Sequence, residues 1–171
     1  EALTESWNGS SWTEVNDLNT ARRLLAASGA DNTSALAIGG GNPGVIEANE
    51  SWNGTNWTEV NDLNTDRKQL AAAGTATSAL AFGGENPGAA ELTNTDGTNW
   101  TEVNDLPVAK ANLAASGADN TSALAFGGFG PSYSATTQTW NGTNWTDVAD
   151  LNQARDFLAG AGTQTSALAF G

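Results

Sequence analysis

One pattern is written four times along the 171 residues. The segment SWNGTNW at 51–57 returns as SWNGSSW at 6–12 and TWNGTNW at 139–145, and in eroded form as TDGTNW at 95–100. The second Trp of each copy stands at 12, 57, 100 and 145, with spacings of 45, 43 and 45. The Leu of the SALA segment stands at 36, 80, 124 and 168, 44 apart each time. Two phases of the pattern thus agree on a unit of about 44 residues. Such an array confines the chain to folds in which one supersecondary unit stacks on its own copies.

Each unit reads as short strands separated by turns. LLAASGA at 24–30, with its copies LAAAGTA, LAASGAD and LAGAGTQ, predicts a small-residue strand closed by Gly29, Gly74, Gly117 and Gly162. In the next segment, SALAIGG, Leu36 and Ile38 alternate with Ala35 and Ala37 at strand period. Both faces are apolar, large on one side and small on the other, as expected of a sheet covered on both faces. A Gly-rich connection, GGNPG at 40–44, leads to a third strand ending at Trp52; an Asn-Gly turn follows, and NWTEVNDL supplies the fourth. Four short strands in about 44 residues is the period of a propeller blade. A helical solenoid would need amphipathic runs of about ten residues or more, and every such run here is broken by Gly or β-branched residues.

The order of paired glycines, aromatic residue, Trp and then a basic residue resembles the kelch repeat. The glycines are Gly39 and Gly40, Gly83 and Gly84, Gly127 and Gly128, and Gly171. The Trp is matched by Trp12, Trp57, Trp100 and Trp145, and the basic residue by Arg22, Arg67, Lys110 and Arg155. The kelch Tyr is replaced by Trp7, Trp52 and Trp140, and Thr95 fails the match. The resemblance implies an all-β chain, a β-propeller of four four-stranded kelch-like blades. It implies no activity, because such propellers host enzymes, adaptors and sugar binders. The array is also similar to repeats in phage structural and tail-associated proteins, which implies an extracellular or virion location.

Aligning Trp7 with Trp52 and Ser166 with Ser34 starts the chain at a third strand and stops it at a second. The expected single domain therefore comprises a shared blade from 1–18 plus 155–171, and blades at 19–63, 64–106 and 107–151. Pairing N-terminal with C-terminal strands would close it and remove the exposed edges. The same blade could instead be shared between two copies in a strand-exchanged homodimer. Inner-strand residues such as Ala26, Ala27, Ala71, Ala72, Ala114, Ala115, Ala159 and Gly160 favour a tight four-bladed ring in one chain. The lack of Met, even at position 1, points to a processed chain or a piece of a longer one.

Composition narrows the function. With 19 Asp plus Glu against 6 Lys plus Arg, the net charge is −13, a field that repels nucleic acid and anionic membranes. No apolar run reaches the roughly 18 residues of a membrane helix. The absence of Cys and His removes thiolate and imidazole chemistry. No spaced oxygen-ligand motif for Ca²⁺ is present, so no cofactor or metal is expected. The Asn-Gly-Ser/Thr triplets at Asn8, Asn53 and Asn141 are read as turn chemistry before glycosylation. Acidic pairs precede each repeated cation: Glu14 and Asp17, Glu59 and Asp62, Glu102 and Asp105, Asp147 and Asp150. Two readings follow, a salt bridge repeated by symmetry or a ring of cations holding an anion. Departures from the repeat gather at GGFGPSYSATT, 127–137, with Tyr133 its one tyrosine. The candidate positions are thus the seven Trp, the four repeated cations and Tyr133. The expected function is a non-enzymatic structural or interaction module touching a protein partner; the alternative is a propeller that binds a cell-surface glycan through exposed Trp.

Overall fold

The computed structural model describes residues 2–85, 92–95 and 99–171. The expected turn at Asp96 lies outside them. The described residues form strands and no helix, in antiparallel sheets. An N-terminal hairpin, β1 (Thr4–Trp7) and β2 (Trp12–Val15), comes first. Three four-stranded meanders follow. The first is β3 (Ala26–Asp31), β4 (Ser34–Ile38), β5 (Asn49–Trp52) and β6 (Trp57–Val60). The second is β7 (Ala71–Thr75), β8 (Ser78–Phe82), β9 (Leu92–Thr95) and β10 (Trp100–Val103). The third is β11 (Ala114–Asp119), β12 (Ser122–Phe126), β13 (Thr137–Trp140) and β14 (Trp145–Val148). The pair β15 (Ala159–Gly162) and β16 (Ala167–Phe170) ends the array.

The large-and-small alternation of SALA sets how the sheets stack. Leu36 and Ile38 pack in one cluster with Ala79 and Ala81 of the next sheet. Leu80 and Phe82 meet Ala123 and Ala125 of the one after, and Phe126 lies with Ala169. A large face on one sheet thus fills the space left by a small face on its neighbour, as close packing requires. The innermost strands adjoin in the order β3, β7, β11, β15. Gly29, Gly74, Gly117 and Gly162 lie along a shared cavity of about 190 Å³ lined by all four of these strands.

The paired glycines join one sheet to the next. The amides of Gly40, Gly84 and Gly128 donate to the carbonyl oxygens of Arg67, Lys110 and Arg155 at 2.8, 2.8 and 2.9 Å. Gly83 and Gly84 both have positive φ, and a Cβ on Gly83 would sit 2.5 Å from the Lys110 carbonyl oxygen. Only glycine allows that approach. At the outer rim Asn16 donates to Asn56, Asn61 to Asn99, and Asn104 to Asn144, each reaching the turn of the following sheet.

The two terminal pairs are each a two-stranded sheet, the halves of the expected shared unit. In the sheets β1 pairs only with β2 and β15 only with β16. Inside a meander a short covalent connection holds the second strand beside the third. At the termini no such short connection joins β16 to β1.

Candidate functional site

Trp pairs occupy the two arms of three of the four outer hairpins; in the fourth, Thr95 stands opposite Trp100. Trp52 faces Trp57 with ring centroids 5.3 Å apart, Trp140 faces Trp145 at 5.3 Å, and Trp7 faces Trp12 at 5.5 Å. Trp52 and Trp140 are buried, and their indole N–H groups donate to the carbonyl oxygens of Asn32 and Asn120. Trp100 is buried as well, Trp57 donates to Thr4 Oγ1, and Trp145 lies edge-on to Phe82. Only the N-terminal hairpin presents its pair, with Trp7 45% and Trp12 64% exposed. The Asn of each turn is committed locally. Asn53 Oδ1 accepts from the amides of Thr55 and Asn56, and Asn8 and Asn141 repeat the arrangement.

The repeated cations lie inside their sheets and do not line the central cavity. Arg22, Arg67 and Lys110 are buried. Arg22 forms a buried ion pair with Glu50 at 2.9 Å and donates to the Ala37 carbonyl oxygen. Its partner is therefore Glu50 and not the preceding acidic pair, Glu14 and Asp17. The Glu50 carboxylate also accepts from the amides of Asn19 and Thr20, fixing the approach to β3. Burial holds the Arg22 guanidinium below its ordinary value, while Glu50, Asp62 and Glu59 oppose that shift. The acidic pair that faces Arg22 is thus the one about 40 residues later, Glu59 on the outer strand β6 of the same sheet and Asp62 just beyond it. Lys110 obeys the same rule: burial lowers its pKa, and Asp147 and Asp150 oppose the shift.

The third meander does not repeat this ion pair. At the position of Glu50 the third meander has Gln138, which turns its amide to Asp147 at 2.9 Å. Lys110 Nζ donates to Thr136 Oγ1 at 2.6 Å, and among the described residues no carboxylate lies within ion-pair distance of it. Arg67 reaches the Gly83 carbonyl oxygen and Arg155 that of Gly171. Arg155 Nε is buried without a hydrogen-bond partner. Beside Lys110 opens a cavity of about 260 Å³ lined by Val108, Pro131, Tyr133, Ser134 and Thr136. Tyr133, 62% exposed, stands at its edge against Phe129.

Four residues that the repeat pattern did not mark line one end of the axis. Leu24, Gln69, Asn112 and Phe157 hold the same repeat position with φ of 60°, 59°, 54° and 51°. The Gln69 amide donates to Leu24 O, Asn112 to Gln69 O, and Phe157 to Asn112 O. A left-handed conformation is unfavourable for Leu and Phe, so the strain is held by this relay. Only Asn112 is a residue type that signals it. Glu50 and Gln138 were also missed, although both stand two residues before a Trp.

Among the described residues no group of His, Cys, Asp and Glu is placed to hold a metal, and no helix is long and apolar enough to cross a membrane. No protein-family model matches the chain, and no curated protein matches it.

Proposed function

We propose that the chain is a structural and interaction module built as a four-unit kelch-like β-propeller, displaying loops to a protein partner in an extracellular or virion assembly. The observation that carries this reading is where the repeated polar groups are spent. Glycine amides, rim asparagines, turn asparagines and Arg22 join strands or sheets. What remains free to vary is the set of connections, which is where a rigid scaffold presents recognition.

Ring closure is part of the proposal, with β15–β16 and β1–β2 as the inner and outer halves of one unit in the same chain. β15 and β3 line the same cavity. Leu168 and Phe170 are 70% and 53% exposed, whereas their counterparts Leu80 and Phe82 are fully buried. Covering each is worth on the order of 1.5–3 kcal/mol. Glu5 holds the position of Glu50 and Arg155 that of Arg22, so the completed unit regains the ion pair. Trp7 stands where Trp52 donates to Asn32 O, which places its partner carbonyl at Gln164. Light scattering tests this at once: a mass of 17.4 kDa at every concentration is expected, and a stable dimer would place the shared unit between two copies.

Glycan binding has one observation in its favour, the exposed Trp7 and Trp12. A polysaccharide panel against the Trp7→Ala and Trp12→Ala variants decides it. Binding lost in both would support the alternative, and no binding by the parent chain would remove it.

A further inference from the structure

The third meander differs from the first at five positions, four of which line one cavity. Lys110 replaces the arginine of Arg22, Gln138 replaces Glu50, and Tyr133, Ser134 and Thr136 replace Val45, Ile46 and Ala48. The first two changes remove an internal counterion while keeping a buried positive charge. The last three bring hydroxyl groups and an aromatic ring to the same cavity wall. Lys110 Nζ has three N–H donors and one described acceptor, Thr136 Oγ1, which is itself 2.8 Å from Ser134 Oγ. Buried charges in folded proteins are paired, and this one lacks the partner that the first meander supplies.

We propose that the cavity between Lys110 and Tyr133 is a binding site for a small organic carboxylate. Its carboxylate takes up the free donors of Lys110 in the role that Glu50 fills beside Arg22, and its body lies against Pro131 and the Tyr133 ring. The hydroxyl groups of Ser134 and Tyr133 are the polar groups at hand for a hydroxylated ligand. A flat apolar acid would use the ring and Pro131 alone. The neighbouring carboxylates are already engaged, Asp147 by the Gln138 amide and Asp150 by the Thr137 backbone amide. The site lies within a complete meander and does not depend on closure of the ring.

The test is a titration followed by NMR of the protein with ¹³C-labelled lysine, using benzoate and D-glucuronate, with benzamide and D-glucose as neutral counterparts. The expected result is a shift of the Lys110 side-chain resonance with one or both acids and none with their counterparts. Benzoate alone indicates a flat apolar body, and glucuronate alone a hydroxylated one; either supports the site. Gln138→Glu restores the internal ion pair, so it preserves the fold and weakens the acid about ten-fold or more. Tyr133→Ala, at an exposed residue, weakens it without changing thermal stability. No shift with either acid, equal shifts with the neutral compounds, or unchanged affinity in a folded Gln138→Glu variant would each overturn the proposal.

Discussion

Glu50 reaches Arg22 across 28 residues of sequence, and the pair is excluded from solvent with side-chain exposures of 1% and 0%. The same carboxylate receives the amides of Asn19 and Thr20, so one side chain fixes both the buried cation and the entry to β3. Removing one member of such a pair strands the other. Glu50→Ala is expected to cost about 3–5 kcal/mol in urea unfolding, and the double variant Arg22→Met with Glu50→Leu far less. Equal losses for single and double variants would show that the charge pairing does not matter.

The paired glycines are a backbone requirement. Gly84 has φ of 99°, and a Cβ there would lie 2.7 Å from the Lys68 carbonyl oxygen. Gly84→Ala is expected to lower stability by at least about 1–2 kcal/mol. A Cβ on Gly44 meets nothing within 4 Å, so Gly44→Ala serves as the control and leaves the melting temperature unchanged.

Tryptophans of one sequence class divide by position. Trp140 is fully buried and Trp12 is 64% exposed. Trp140→Ala should cost about 3–5 kcal/mol, and Trp12→Ala under about 1 kcal/mol. Comparable losses, measured by thermal unfolding, would contradict the packing described.

Much of the fold was legible because it is written in period. Leu36 and Ile38 against Ala35 and Ala37 declared a strand with a large and a small face, and the sheets stack in that way. The Asn-Gly turns and the paired glycines were readable for the same reason: each meets a local backbone demand. The site was less legible. The partner of Arg22 sits on the third strand of its sheet, and nearby acidic residues in sequence pointed elsewhere. Leu24 and Phe157 carry no sign of their left-handed backbone, because the relay of neighbouring units imposes it. The cavity at Lys110 shows only when Lys110 is placed beside Tyr133, Ser134 and Thr136, more than 20 residues later in sequence.

Lys110 gives a pH signature. Burial depresses its pKa in the folded chain below the ordinary value of 10.5, despite Asp147 on β14 and Asp150 beyond it. Between the folded and unfolded values the unfolded chain binds more protons, so stability rises with pH in that window. The cost of the buried charge is complete below the folded value and gone above 10.5. The difference in unfolding free energy between Lys110→Met and the parent should therefore shrink on the alkaline side. A difference independent of pH would contradict a buried, charged Lys110.

The central claim, that the two terminal half-sheets complete one unit within a single chain, meets its most direct test in a disulfide. The register of β4 on β5 pairs Leu36 with Ser51, and the equivalent pair across the closure is Leu168 with Ser6. The chain has no cysteine, so Ser6→Cys with Leu168→Cys introduces the only two thiols. On mild oxidation a cross-linked species of monomer mass is predicted, running faster than its reduced form in a denaturing gel. A ladder of linked chains, or free thiols in a folded protein, would contradict closure within the chain.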